Sequence, residues 1–345
     1  MKTETKRDEA DFLAIGVLKS MNGTVAESYA YCRTLAKRTA GNFYYSFLGL
    51  PADRFRAMCA LYAFMRVTDD IGDCHAMPVE ERARRLEQWS EQLRAALAGH
   101  ETGVPVLPAT ADVVRRFAIP PAYLFATIDG VRMDLGSPAF ETFEDLRRYC
   151  DCVAGAVGVC CIHIWGFRDE EAVRKAEACG LAFQLTNILR DLAEDAVVGR
   201  VYLPEQDLRR FGYTRDDLAR HVRDDRFRRL MEFEVKRARE FYREAEGLFD
   251  VLEPVGWPIL RAMRRLYGGL LDEIERSDFD VMVVIDVSHS TRYPSGIDVD
   301  EDGETGINPQ QELVLPGTYP EDMVCSDPED TILAAEVRAT RHLLG

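Results

Sequence analysis

Four carboxylates are spaced so that they could hold a cation. LYAFMRVTDDIGD carries Asp69 and Asp73 four residues apart, and QLTNILRDLAED carries Asp191 and Asp195 at the same spacing. At about 100° per residue, a step of four returns to within about 40° on a helix, so each pair shares one face. Arg66 lies three residues before Asp69, and Arg190 borders the second stripe, which Gln184 and Asn187 continue. Like charges one turn apart repel, and burying them unpaired would cost far more. Hard oxygen donors suit magnesium, which commonly bridges a carboxylate or two to phosphate oxygens. Arginines beside such a site could grip the phosphate directly. On spacing alone the pattern is cheap. It recurs at Asp298 and Asp302, where it reads as solvated charge. The first two pairs differ in lying on otherwise apolar helices, each with an arginine alongside.

The elements that must position these residues are helices. Through the first 280 residues apolar side chains recur at three and four, not at two. Pro51 and Asp53 open a helix toward Asp73, and Pro78 opens a charged one ending near Gly99. Thr142 and Asp145 form a capping box for LRRYCDCVAGAVGVCCIHIW. Asp169 starts a helix through Asp195, with Gly199 at its C-terminal cap. Thr214 is expected to begin a long polar helix, and Pro258 an apolar one through Glu275. The fold class expected from this pattern is an all-α single-domain bundle.

The chain has 345 residues and a net charge of −16, which argues against a nucleic-acid partner. Thirteen acids and three arginines fall in residues 286–345, a net −10, so the body carries only −6. The divisions expected are an N-terminal segment over 1–25, a catalytic domain over 26–280 and an acidic, loosely ordered tail over 281–345, in which VMVVIDVSHS could form a short strand. Nine cysteines without CxxC or zinc-like spacing read as buried thiols in a reducing compartment. With no signal-peptide pattern and no long apolar run, the expected location is cytoplasmic, with peripheral contact at the inner face of the membrane as its variant.

Three segments, YAFMRVTDDIGD, YCDCVAGAVG and QLTNILRDLAEDAVVGRVYLP, together resemble the squalene/phytoene synthase family, which joins two prenyl diphosphates head to head. The resemblance runs from about Tyr31 to Asp280 in the family's order. It implies an isoprenoid-synthase bundle with a central channel. It implies metal ligation by Asp69, Asp73, Asp191 and Asp195, assisted by Asn187, with Asp70 beside the first motif. It places Arg66 and Arg190 on diphosphate, and Tyr62, Gln184 and Tyr267 near the substrates. Phe43, Val153 and Val157 match channel-lining positions, and Arg200 and Tyr202 match the segment after the second motif. The implied cofactor is Mg2+, with Mn2+ the alternative; NADPH use is left open, as is the oligomeric state. Motif texture is most similar to farnesyl-using bacterial presqualene diphosphate and squalene synthases. Phytoene synthases using geranylgeranyl diphosphate are the alternative.

Each residue has a plainer reading. Tyr62, Phe43 and Tyr267 fit core aromatics, Gly155 and Gly158 fit close helix packing, His163 fits a satisfied core histidine and Arg200 a helix cap. The plainer functions are a chain-elongating prenyltransferase or terpene cyclase, and a non-catalytic partner protein. Two departures from the family pattern stand out. Thr39-Ala40-Gly41-Asn42 replaces a serine-rich stretch, and the basic segment expected after Asp280 is missing, through a divergent extension or a shifted reading frame.

Overall fold

A computed structural model describes residues 24–279 apart from 41, 75 and 137, and leaves out the side chains of 42, 43 and 45. The acidic tail and most of the N-terminal segment therefore lie outside the described residues, as does VMVVIDVSHS.

The described chain is helical throughout. α1 (Val25–Thr39), α2 (Asn42–Phe47), α3 (Ala52–Gly72), α4 (Val79–Leu97), α5 (Leu107–Arg116) and α6 (Pro121–Met133) come first. α7 (Phe143–Cys150) runs through a π-helical turn, Asp151–Gly155, into α8 (Ala156–Trp165). α9 (Glu171–Val197), the short α10 (Glu205–Arg210) and α11 (Arg215–Ala219), α12 (Asp225–Glu244), α13 (Leu248–Val251) and α14 (Trp257–Arg276) follow. No strand forms among the described residues; one isolated bridge joins Phe167 and Leu252.

Local chemistry explains most boundaries. The Thr142 hydroxyl accepts from the Asp145 amide and the Asp145 carboxylate accepts from Thr142, the reciprocal box that starts α7. Gly199 takes a φ of +78° just past α9. The long helix expected from Thr214 is instead two helices. Thr214 caps only α11, and His221 turns the chain with a φ of +53°. Asp224 then accepts from the amides of Arg226 and Phe227 and starts α12 afresh.

Two apolar clusters form the core. One gathers α1, α3, α4, α5, α8 and the first half of α9; the other gathers α7, the second half of α9, α12 and α14. α9 belongs to both and packs against α8, the π turn, α12 and α14. Close approach fixes its depth. A Cβ on Gly180 would lie 2.5 Å from the Ala154 carbonyl oxygen, so a glycine here lets α9 press onto the π turn. Gly72 does the same for α3, since its Cβ would lie 2.3 Å from Val131 Cγ1 on α6. These contacts bring the C-terminal ends of α3, α6 and α9 to one end of the bundle.

Candidate active site

That end of the bundle is where the acids collect. Asp73 is the C-terminal cap of α3, Asp134 the C-terminal cap of α6, and Asp195 lies in the last turn of α9. A helix C-terminus carries a partial negative charge and favours cations, yet neither α3 nor α9 has a basic residue in its last turn. Acids stand where the dipole disfavours them. Such an arrangement persists when a cation completes it.

The carboxylates respond to one another. Burial and then the neighbouring Asp73 push Asp69 up to about 7. Burial and then Asp191 push Asp195 up to about 6. Asp69 keeps accessible surface and lines two adjoining cavities. Asp134 couples to both sides, to Asp69 and Asp73 from α3 and to Asp195 from α9. Arg200 faces this group, acting on Asp134, Asp73 and Asp195, while Arg66 acts on Asp69.

The two motif arginines are engaged with carboxylates. Arg66, itself exposed, pairs with the largely buried Asp70 at 2.7 Å. Arg190 forks onto Asp191, Nε to Oδ1 at 2.6 Å and Nη2 to Oδ2 at 2.7 Å. Two acceptors beside them have no partner: Asp70 Oδ2 and Asn187 Oδ1 are buried and unbonded. Buried acceptors left open next to crowded carboxylates fit an incoming cation. No three His, Cys, Asp or Glu side chains among the described residues converge into a complete metal shell. A hard cation held there would draw its other oxygens from substrate or water.

From this polar end a cavity of about 410 Å³ runs into the core. Tyr62, Asp69, Gln184, Asn187 and Tyr267 line its polar part, and Val153 and Val157 its wall. Tyr267 stacks on Phe183 with centroids 4.5 Å apart. The π turn at Asp151–Gly155 widens the helix where Val153 and Ala154 face this space. Gly158 and Gly180 line it too, so these glycines serve both close packing and the cavity. Phe43 lies on α2, with its side chain outside the described set.

The structure thus brings Asp69, Asp73, Asp195, Arg200 and Tyr202 together around Asp134, with Asp191 and Asn187 on the adjoining turns. Asp134 and Tyr149 were not singled out from sequence. Tyr202 donates to Asp134, and Tyr149 stacks on Tyr202 with centroids 5.5 Å apart. A lone acid at the C-terminal end of an apolar helix was the available signal for Asp134. His163 is partly buried, with Nδ1 3.2 Å from the Phe117 carbonyl oxygen, and burial pushes its pKa down. The eight described cysteines are free thiols. No helix among the described residues is long and apolar enough to cross a membrane.

Comparison with known proteins gives concordant results. Residues 36–293 match the squalene/phytoene synthase family model, thirteen residues past the boundary read at Asp280. Phytoene synthase of Arthrospira platensis is 39% identical over 272 residues, 75% of this chain and 87% of the relative. Chloroplastic phytoene synthase 2 of Solanum lycopersicum is 34% identical over 275 residues, 76% and 86% of the two chains. The structure of squalene synthase HpnC from Alicyclobacillus acidocaldarius superposes with a TM-score of 0.70 at 30% identity, covering 76% of this chain and 98% of that one. A dehydrosqualene synthase in complex with ligand gives 0.66 at 30% identity, covering 74% and 88%.

Proposed function

Because the chain belongs to the squalene/phytoene synthase family and is a prenyltransferase of that type, we propose that it joins two geranylgeranyl diphosphates head to head to give phytoene. The observation that carries the reaction class is the grouping of Asp69, Asp73 and Asp134 around a small cavity that adjoins the apolar one, with Asp195 coupled to Asp134. The choice of substrate rests on the relatives, which are named phytoene synthases over most of their length. Motif texture put the farnesyl substrate first, and the relatives favour the geranylgeranyl alternative instead.

Each residue then has a role. Asp69 and Asp73 from α3, and Asn187, Asp191 and Asp195 from α9, would hold magnesium, with manganese the alternative. A divalent cation held by these residues would supply charge neutralisation for the diphosphate as it leaves. Arg66 and Arg190 exchange their present carboxylate partners for phosphate oxygens. Arg200 stands across the mouth, and Tyr202 holds Asp134 in place. As the C–O bond breaks, an allylic cation is left in the cavity, whose apolar wall keeps water from it. The second substrate's double bond attacks, a proton leaves and a cyclopropane closes. A second ionisation and a second proton loss give the product. That outcome consumes no reductant, so NADPH has no part in it.

A second reading, condensation of two farnesyl diphosphates, is favoured by the two solved structures at 30% identity. Incubating purified protein with magnesium and each diphosphate, with and without NADPH, separates them by product mass. A C40 product from the C20 substrate is expected. A C30 product alone transfers the assignment to the second reading, and no condensed product from either defeats both.

A further inference from the structure

We propose that Trp165 is the floor of the cavity and fixes the length of prenyl chain it accepts; this rests on the prenyl-condensing reading above. Three helices define the cavity's length. Its lining runs from Asp69 back to Met58 on α3, from Val153 to Trp165 along the π turn and α8, and from Asn187 back to Ala176 on α9. Each path covers twelve or thirteen residues, or eleven or twelve steps, roughly 17 Å at 1.5 Å per step. All three start at the carboxylate end and finish at the same far end. An isoprene unit advances about 5 Å at ordinary bond lengths, so a C20 chain spans about 20 Å and a C15 chain about 15 Å. With its diphosphate and first carbons at the mouth, a C20 chain ends at Trp165. A C15 chain ends one unit short, and a C25 chain cannot fit.

Trp165 is built as a stop. Its side chain is 3% exposed, and its indole Nε1 has no hydrogen-bond partner. A buried N–H without an acceptor is unfavourable, so the position keeps a large ring at a polar atom's expense. The ring cannot retreat. Gly256 lies against its back, where a Cβ would meet Trp165 Cβ at 2.9 Å and Cε3 at 3.1 Å. Leu248 and Ile259, from the segments flanking Gly256, line the same end.

The test is competition among C15, C20 and C25 diphosphates with magnesium, read as kcat/KM ratios from products identified by mass. Trp165→Ala is expected to raise the C25-to-C20 ratio at least tenfold, because one unit of added depth replaces a clash. Trp165→Phe keeps a ring without the orphan N–H and should leave the ratio within about twofold. Gly256→Ala pushes the indole into the cavity and should move preference toward C15, a readout that stands if Trp165→Ala fails to fold. Unchanged ratios in Trp165→Ala and Gly256→Ala, with C40 product still formed from C20, would overturn the floor assignment alone. Absence of condensed product from the unaltered protein overturns the functional reading and this inference with it.

Discussion

Tyr202 donates its phenol hydrogen to Asp134 Oδ1 at 2.6 Å, across 68 residues of sequence. The bond ties the segment after the second aspartate motif to the C-terminal end of α6, which faces the first. Burial raises Asp134, and the Tyr202 bond opposes that rise. Tyr202→Phe removes the donor, so Asp134 should hold its proton more tightly and lose the bond that orients it. The expected result is a turnover loss of about tenfold or more, at a stability cost of roughly 1 kcal/mol for the lost bond, since Tyr149 still donates to Asp134. Asp134→Asn should lose more turnover than Tyr202→Phe while circular dichroism stays unchanged. Full turnover in Asp134→Asn would remove Asp134 from the site.

The two aspartate motifs give two tests, and in the first motif activity and stability should move with opposite signs. Asp191→Asn should lower turnover by about 10²–10³, the scale of a lost electrostatic stabiliser. Asp73→Asn likewise lowers turnover, but it also removes an acid from a helix C-terminus. That relief is worth roughly 0.3–1 kcal/mol, so the unliganded variant should melt slightly higher. Chelation should abolish turnover and magnesium restore it. An Asp73→Asn protein that melts lower than the parent, at equal helicity, would contradict the dipole argument.

Much of this site was legible because helices announce themselves. Prolines and capping boxes located the starts of α3, α4, α7 and α14, and a spacing of four put each aspartate pair on one face. Asp134 was not legible because it stands alone: one acid at a helix end has no spacing to read, and only the Gly72–Val131 approach brings it to Asp73. Thr214 misled because its capping box is genuine but starts a helix of five residues; Asp224, ten residues on, starts the long one. The present pairing of Arg66 with Asp70, and of Arg190 with Asp191, is a property of side-chain reach that spacing could suggest but not choose. Chain length stayed open for a physical reason as well. Trp165, which lines the cavity, is backed by Gly256, 91 residues away in sequence.

Gly180 offers a packing test separate from chemistry. A methyl group there would press on the Ala154 carbonyl oxygen at 2.5 Å, the carbonyl carbon at 2.7 Å and the Gly155 nitrogen at 2.8 Å. These are backbone atoms and cannot rotate away. Gly180→Ala should destabilise by about 1–3 kcal/mol, the range for overpacking, and should displace the π turn that carries Val153 and Ala154. Denaturant titration measures the first effect. A loss of turnover larger than the fraction unfolded would report the second.

The last prediction concerns stability against pH and lies away from the cavity. Arg237 Nη1 bonds both Asp207 Oδ2 at 2.9 Å and Glu234 Oε2 at 2.6 Å, and all three side chains are nearly buried. One cation between two carboxylates balances only if one carboxyl keeps its proton. Burial, chiefly, pushes Glu234 up to about 8, from an ordinary value of 4.5. In the unfolded chain Glu234 releases its proton near 4.5, and in the folded chain it keeps it until about 8. Folding therefore takes up a proton between those values, and stability falls as pH rises through that window, levelling above 8. Glu234→Gln removes the titration, so its unfolding free energy should fall less than the parent's between pH 5.5 and 8.5. Arg237→Met should cost about 3–5 kcal/mol by stranding the acids. It should also loosen α10, which Asp207 anchors to α12 directly after Tyr202. Equal pH slopes for Glu234→Gln and the parent would mean that Glu234 is ionised in the folded protein.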